Sequence, residues 1–241
     1  AGNFNSRLIG GVRPVDADKG YAGPLQFELI ADPAAGAPTV VGEKSQPAAI
    51  RVAGTFDRGR ALLDIPDIEV RIGKERAVAS ASMGFRGETP SIAAAAASDG
   101  MSIAAIKQFW PFWIAPPARK WALRNVVGGR ATAITIDARI PGGIIGRFRQ
   151  GRKMKPEDFK LRASFSGVRL DTFGDLPPIR NAAGTFDITG MTTSAHVQSG
   201  TVFLPDDRSV EITAGDFRIK DFGERPAQAE VRVAGDGDLR A

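Results

Sequence analysis

Apolar and polar residues alternate along most of this 241-residue chain. The alternation is strict in segments such as 25–29, 68–72 and 134–140, which predicts β-strands because successive side chains of a strand point to opposite faces. Strands covered on both faces would instead read as continuous apolar runs. The pattern therefore predicts an all-β, antiparallel meander with one apolar and one polar face. Turn signals between the strands are Asp57-Arg58-Gly59, Asp206-Asp207 and Gly235-Asp236-Gly237.

One segment, 101–127, changes to a helical period of about 3.6 residues. It predicts two short helices, the first capped by Asp99 or Ser102, the second starting at Pro116-Pro117 and ending at Gly128-Gly129. The residues expected to share a helical face are Ile103, Ile106 and Trp110 in the first helix and Ala118, Trp121, Ala122, Asn125 and Val126 in the second.

All three tryptophans, Trp110, Trp113 and Trp121, lie in this helical insertion. One interpretation is that they plug one end of the apolar face of the sheet. The other is an amphipathic lid that contacts a lipid or a partner surface, with Arg119, Lys120 and Arg124 on its wetter side.

A phrase occurs twice in the chain: Ile-Arg-Val-Ala-Gly-Thr-Phe-Asp at 50–57 returns as Ile-Arg-Asn-Ala-Ala-Gly-Thr-Phe-Asp at 179–187. An Arg-x-Val follows each copy, at 76–78 and at 208–210, and an Asp-Gly lies further on, at 99–100 and at 236–237. Such self-similarity predicts stacked units that share one apolar surface. We expect a first β-repeat unit at 1–100, a helical insertion at 101–128 and a second unit at 129–241 that continues the same sheet.

Composition excludes several classes of protein. With 43% apolar and 24% charged residues, the chain is typical of a folded globular protein rather than a disordered one. Cysteine is absent, which excludes disulfides, thiolate metal sites and a cysteine nucleophile. A net charge of +5 favours anionic partners only weakly. The N-terminus does not read as a signal peptide, and no apolar stretch is long enough to span a bilayer.

Catalytic chemistry finds little support in the residues. His196 is the only histidine, and it lies in an alternating strand without a nucleophile elbow, a zinc motif or a phosphate-binding loop. The carboxylates at turns and strand ends are explained by Asx turns; they are Asp57, Asp64, Asp67, Asp187, Asp206 and Asp207. We expect no catalytic residue, metal or cofactor. The alternative hypothesis is a polysaccharide hydrolase that uses a pair of these carboxylates. The sequence does not test it, because it does not give the distance between the two groups.

A basic cluster follows the strand that ends near Ile140. Its members are Arg147, Arg149, Arg152, Lys153 and Lys155. The cluster is either a solvated loop or a contact with an anionic membrane surface, where each basic residue contributes about 1 kcal/mol. Nucleic acid is a poor fit, because aromatic residues other than Phe148 do not interleave with these charges and no helix-turn-helix or zinc spacing accompanies them.

Several of these residues resemble a known family. The run Phe109-Trp110-Pro111, Pro117-Ala118-Arg119-Lys120-Trp121 and Asn125-Val126-Val127-Gly128-Gly129-Arg130, followed by alternating strand, resembles the central region of bacterial AsmA-like envelope proteins of the YhdP and TamB branch. The stretch 173–184, with Gly190, Val197 and Gly200, is similar to the strand unit that follows in those proteins. The likeness covers most of the chain from about Ala48 onward.

The resemblance implies a fragment of a long periplasmic protein, anchored in the inner membrane outside this fragment, whose repeating β-groove passes phospholipid toward the outer membrane. Its partners would be phospholipid acyl chains, both membranes through the full-length protein, and flanking repeats of the parent chain. An apolar sheet face suits acyl chains on physical grounds too, because burial contributes about 0.8 kcal/mol per methylene.

The residues that we expect to line such a groove are Ile50, Val52, Phe56, Ile134, Ile136, Ala138, Phe165, Phe186, Val210 and Ile212. The same residues would form the core of a closed sandwich, and the sequence does not choose between an open groove and a closed core. A further hypothesis is an assembly scaffold, whose uncharged sheet edges receive strands of nascent outer-membrane proteins.

Overall fold

The protein is described by a computed structural model that covers residues 5–35, 46–87, 89–110, 116–144, 153–171, 177–204, 208–224 and 226–237. Its strands are β1 (Asn5–Pro14), β2 (Leu25–Ala35), β3 (Pro47–Asp57), β4 (Leu62–Ile72), β5 (Glu75–Gly84), β6 (Ser91–Ser102), β7 (Val126–Val127), β8 (Arg130–Ile140), β9 (Phe159–Leu170), β10 (Ile179–Thr189), β11 (Thr192–Phe203), β12 (Ser209–Ile219) and β13 (Ala229–Gly237). Two helices, α1 (Ile103–Phe109) and α2 (Pro116–Asn125), and a 3₁₀ turn (Gly20–Ala22) complete the described elements.

All thirteen strands belong to one sheet whose order follows the chain: β1 to β6, then β8 to β13, with the two-residue β7 beside β9. Every strand is antiparallel to its neighbours, as the alternating pattern predicts. The predicted all-β meander with a small two-helix insertion is confirmed. Within the described ranges the sheet does not close on itself, and β1 and β13 are its outermost strands.

The sheet is largely a single layer. The chain exposes 15382 Å², whereas a compact protein of its mass would expose about 10,000 Å². Few large apolar side chains are buried among the described residues: Val168 is 1% exposed, Ile72 3%, Ile212 6% and Met101 8%. Because no second sheet packs on the first in the described ranges, the closed-sandwich interpretation is wrong.

The two helices form where the change of period predicts them. Ser102 is the N-cap of α1, since its side chain accepts a hydrogen bond from the backbone N–H of Ala105. Proline begins α2, and Gly128 and Gly129 then take positive φ angles of 64° and 74°. The cap and the proline agree with the expected starts, but α2 ends at Asn125, earlier than expected. Val126 and Val127 form β7 before the two glycines, so Val126 does not share a helical face as predicted.

The repeated phrase occupies equivalent strands. Its first copy lies in β3 and its second in β10, seven strands further along the chain. Arg76 lies at the start of β5 and Arg208 directly before β12, while the two Asp-Gly pairs lie near the ends of β6 and β13. The internal repeat therefore corresponds to a repeated order of strands. The proposed division into units at 100 and 128 stays a prediction, since β6 pairs directly with β8.

One predicted turn is wrong. Gly235, Asp236 and Gly237 lie within β13, where they pair with Ile212, Glu211 and Val210 of β12. A Cβ on Gly237 would lie 3.0 Å from the Val210 Cγ2 atom, and one on Gly235 would lie 3.0 Å from its Cγ1 atom. The glycines thus allow a close approach between strands rather than a change of chain direction. Asp57 does shape the β3–β4 turn as expected, because it accepts a hydrogen bond of 2.9 Å from the backbone N–H of Arg60. Asp206 and Asp207 lie outside the described residues.

Candidate functional site

The apolar face of the sheet, defined by the side chains that share a face with Val52 and Ile136, is the main candidate site. Directly opposed residues of neighbouring antiparallel strands lie on the same face, so the pairing register follows this face from edge to edge. One such row crosses twelve strands and consists of Gly10, Leu29, Val52, Ile68, Ala79, Ala96, Ile136, Leu161, Ile188, Thr193, Ile219 and Ala229. Only Thr193 carries a polar group in its side chain. At about 4.8 Å between strands, the row is about 50 Å long.

All ten residues expected to line a groove lie on this apolar face. Ala138 and Ile212 are buried, and the other eight are half-buried. The same face holds residues that the sequence reasoning did not select, among them Phe27, Leu161 and Phe217. The alternation in their own strands was the signal that would have identified them.

Bulges keep the apolar side chains on one face over long strands. The register shifts between Ala53 and Thr55 in the β3–β4 pair and between Ala183 and Gly184 in the β10–β11 pair. Each bulge adds a residue to one strand, so a strand whose apolar residues change from even to odd positions still presents them on one side. The shifts occur at the same place in both copies of the repeated phrase.

Helix α1 covers one end of the apolar face, which we call the helical end. Ala105 of α1 packs with Ala48, Ile72 and Met101 in a small core, against which Ile106 and Phe109 also pack. This end contains the start of β3, the end of β4 and the end of β6.

Polar contacts hold α1 in place. Gln108 accepts a hydrogen bond of 2.9 Å from the Gln46 N–H and donates one of 2.8 Å to the Gln46 carbonyl. Glu75 of β5 accepts hydrogen bonds from both the backbone N–H and the hydroxyl of Ser102, and forms an ion pair with Arg130. The start of the helix is thereby tied to β5 and β8.

The tryptophans of the insertion do not share one environment. Trp110 is half-buried, and its carbonyl accepts a hydrogen bond of 3.0 Å from Arg119 Nε. Trp121 is 44% exposed and lies on the outer side of α2 with Lys120 and Arg124. Trp121 therefore does not act as a plug, and Arg119, expected on the wetter side, is half-buried instead. Trp113 lies outside the described residues.

The opposite face of the sheet, the polar face, carries rows of paired charges. Arg51 contacts Glu28 on β2, with an Nε–Oε1 distance of 2.8 Å, and Asp67 on β4. The hydrogen bond with Glu28 is the main cause of the raised pKa of Arg51. Arg76 and Arg71 hold the pKa of Glu69 below its ordinary value in the same way. These ion pairs link neighbouring strands and favour water on this side of the sheet.

The single histidine lies on the polar face too, together with Asp64 and Asp187. His196 Nδ1 is 2.9 Å from Asp216 Oδ1, and both side chains are exposed. Asp187 pairs with Arg162 across two strands. In the described ranges, no three His, Cys, Asp or Glu side chains are grouped in a way that would hold a metal ion.

The basic cluster is only partly described. Arg147, Arg149 and Arg152 lie outside the described residues. Lys153 forms an ion pair with Asp221 and lies 3.8 Å from Glu224, so carboxylates of the chain itself already contact it. Lys155 is exposed, and its backbone N–H donates to Asp158.

Comparison with known proteins finds no match. Neither a protein-family model nor a curated protein matches the sequence, and no solved structure matches the fold. None of the helices in the described part of the chain has the length and apolar character needed to cross a bilayer.

Proposed function

We propose that the apolar face binds the acyl chains of phospholipids, without catalysis, as a segment of an AsmA-like protein that conducts lipid between the inner and outer membranes through the periplasm. The observation that supports this proposal is the apolar row that crosses twelve strands. A membrane anchor would lie in another part of such a protein.

The size of the apolar face supports a conduit rather than a single binding pocket. The row of about 50 Å is several times longer than one leaflet of a bilayer, whose hydrocarbon core is about 15 Å thick per leaflet. An acyl chain therefore covers only part of the face at a time. Since dispersion and the hydrophobic effect are non-directional, neighbouring positions along the row bind it about equally well, which allows movement from strand to strand.

The two faces differ in polarity, which supports binding of lipid to the apolar face only. An acyl chain on the polar face would displace water from ion pairs such as Arg51–Glu28 and Arg162–Asp187, at a cost in desolvation. On the apolar face it would cover half-exposed Ile, Val, Leu and Phe side chains and gain about 25 cal/mol per Å².

The test compares substitutions at neighbouring residues on opposite faces. Ile136→Asp places a charge in the middle of the apolar row, and Thr135→Asp places the same charge on the polar face one residue away. Both variants and the native chain would be purified from a bacterial periplasm and analysed by native mass spectrometry with lipid extraction. We expect phospholipid with the native chain and with Thr135→Asp, and a clear loss with Ile136→Asp. Phe186→Asp and Thr185→Asp form a second matched pair.

Folding is checked by thermal unfolding of the same samples. Because Ile136 and Phe186 are half-exposed, we expect their variants to keep a cooperative transition. A native chain that carries no phospholipid, or one that loses it equally with both members of each pair, would refute the proposal.

The scaffold hypothesis has one observation in its favour, because the β1 and β13 edges have no neighbouring strand in the described part of the chain. It also predicts an uncharged edge, whereas β1 carries Arg7 and Arg13 and β13 carries Glu230, Arg232 and Asp236. These charges favour a partner strand of defined charge pattern over nascent strands in general.

A further inference from the structure

Helix α2 presents an exposed side that combines an aromatic ring with positive charge. Among the described side chains of α2, the exposed ones are Ala118, Lys120, Trp121 and Arg124, and Trp121 is 44% exposed. Arg124 follows Trp121 by three residues and Lys120 by four, a spacing that places side chains next to each other on a helix. These four residues therefore share one side, the outer side of α2.

Contacts at both ends of α2 fix the orientation of this side. Arg119 Nε donates a hydrogen bond of 3.0 Å to the Trp110 carbonyl, which joins the start of α2 to the end of α1. The Asn125 carbonyl accepts one of 2.8 Å from the Asp171 N–H, and β7, which follows at once, pairs with β9. The helix is thus held through residues other than the four of its outer side, which stay accessible.

The positive charges of the outer side are not neutralised by the described part of the chain. The sequence of α2 contains three basic residues and no acidic one. Within the described ranges, neither Lys120 nor Arg124 forms an ion pair. The arginines of the polar face differ in this respect, because Arg51, Arg76 and Arg162 each contact a carboxylate on a neighbouring strand. The two charges on α2 are therefore available to an anionic partner.

The place of α2 in the sheet separates its outer side from any strand that would extend the sheet. The helix lies between β6 and β8 in the chain and is joined to β9 through β7. Along the strand order, β9 is four strands from β13 and seven from β1, which is about 19 Å and about 34 Å at about 4.8 Å per strand. A flanking repeat that continues the sheet beside β1 or β13 therefore adds its strands away from this side.

We propose that the outer side of α2 binds the surface of an anionic phospholipid membrane, with Trp121 among the headgroups and with Lys120 and Arg124 on their negative charges. The proposal goes beyond lipid binding by the apolar face and does not depend on it, because α2 is not part of the sheet.

Both parts of this surface match the boundary of an anionic bilayer. An indole ring has an apolar body and a polar N–H group, so tryptophan is enriched where hydrocarbon meets headgroups. Each basic residue near an anionic leaflet strengthens binding by about fivefold. The long apolar stems of lysine and arginine let their charges stay at the headgroups while the ring inserts. Val127, which is 37% exposed directly after α2, adds apolar surface.

Vesicle sedimentation tests the proposal on the delipidated 241-residue chain. The native chain should bind about tenfold more tightly when about a third of the phosphatidylcholine in the vesicles is replaced by phosphatidylglycerol, and this gain should shrink at high salt. Lys120→Gln/Arg124→Gln should bind the anionic vesicles about 25-fold more weakly, because two basic residues are lost. Trp121→Ala should bind them about tenfold more weakly. Glutamine keeps the helix propensity of the residues that it replaces, and thermal unfolding of the variants should match that of the native chain.

Matched controls lie at the opposite end of the sheet. Arg58→Gln/Arg60→Gln removes the same charge from the exposed β3–β4 turn. Phe85→Ala removes an aromatic ring that is 45% exposed directly after β5. Both variants should bind vesicles as the native chain does. Adsorption through the apolar face of the sheet would instead leave the α2 variants and these controls alike, and that result would overturn the proposal.

A fluorescent label tests which surface touches the bilayer. Because the chain contains no cysteine, Ala118→Cys carries a single environment-sensitive dye on the outer side of α2, and Gly59→Cys carries it in the β3–β4 turn. Addition of anionic vesicles should shift the emission of the dye at residue 118 to shorter wavelength and leave that at residue 59 unchanged. Absence of vesicle binding, equal binding to neutral and anionic vesicles, or a shift at residue 59 alone would overturn the proposal.

Discussion

Phe27 of β2 lies over Gly54 of β3, with its Cζ atom 2.8 Å from the point where a Cβ of residue 54 would be. The second copy of the repeated phrase has the same arrangement: Phe165 of β9 pairs with Gly184 of β10, and its Cζ atom lies 3.0 Å from the corresponding Cβ position. A phenylalanine on the preceding strand thus fills the space that each glycine leaves on the apolar face. This relationship explains why the phrase contains a glycine in the middle of a strand, a position where glycine otherwise weakens a sheet.

Replacement of either glycine should destabilise the fold. A Cβ at residue 54 would lie 2.4 Å from the Asp64 carbonyl oxygen, and one at residue 184 would lie 1.9 Å from that of His196. We expect Gly54→Ala and Gly184→Ala each to lower the free energy of unfolding by about 1–3 kcal/mol, measured by urea denaturation. Gly59→Ala, whose Cβ would make an ordinary contact of 3.5 Å, should have little effect, and equal losses at all three positions would contradict this account.

Removal of the Glu75 side chain should loosen α1. This carboxylate joins Ser102, the N-cap of the helix, to Arg130 of β8, and hydrogen bonds to a charged group contribute about 1.5–3 kcal/mol each. Glu75→Ala should increase amide hydrogen exchange in residues 103–109 while the exchange in β10 to β12 stays unchanged. Glu157→Ala, at an exposed turn position, provides the control. Unchanged exchange in α1 would show that Glu75 does not hold the helix.

The ion pair between Lys153 and Asp221 should make the free energy of unfolding depend on pH under acidic conditions. The hydrogen bond from Lys153 is the main cause of the lowered pKa of Asp221. Because the pKa in the folded state is below its unfolded value, the stabilisation is present above the unfolded pKa of about 3.9 and is lost as the pH falls through the folded pKa. We expect Lys153→Met to raise the pKa of Asp221 toward its ordinary value, as measured by NMR titration.

Lys153→Met should have a lower free energy of unfolding than the native chain at pH 7 and the same free energy of unfolding in strong acid. Lys155→Met is the control, because Lys155 is exposed and, of the two lysines, Lys153 is the one that forms an ion pair with Asp221. A stability difference that persists unchanged down to pH 2 would contradict the ion-pair explanation.

Truncation of a buried valine should destabilise the sheet more than truncation of an exposed one. Val168 is 1% exposed, and its Cγ2 atom packs close to Gly129. Val168→Ala should lower the free energy of unfolding by about 2 kcal/mol through lost burial and a cavity. Val15→Ala, at a residue that is 56% exposed, should change it by less than about 0.5 kcal/mol. Similar effects at both sites, in thermal or urea unfolding, would mean that the Val168 region is not tightly packed.

The sequence by itself determined the strands, the two helices and the residues that share a face. Alternation at Ile134, Ile136 and Ala138 places these side chains together because the period of a strand is two, whatever the strand packs against. Ser102 and Gly128 mark the helical insertion for equally local reasons, a side-chain cap and a positive φ angle. The repeated phrase likewise predicts two equivalent strands without reference to any tertiary contact.

Tertiary structure alone decided what covers each face and which distant residues meet. Local periodicity is the same for a closed sandwich and for an open sheet, so the exposure of the apolar face depends on the absence of a second layer in the described ranges. Arg119 turns inward and donates a hydrogen bond to the Trp110 carbonyl, nine residues away, whereas Trp121 turns outward. Lys153 contacts Asp221 across 68 residues of chain. Gly235 and Gly237 read as a turn until the position of Val210 beside them shows that they serve close strand pairing. These contacts depend on the register of strands far apart in the chain, which a local pattern does not contain.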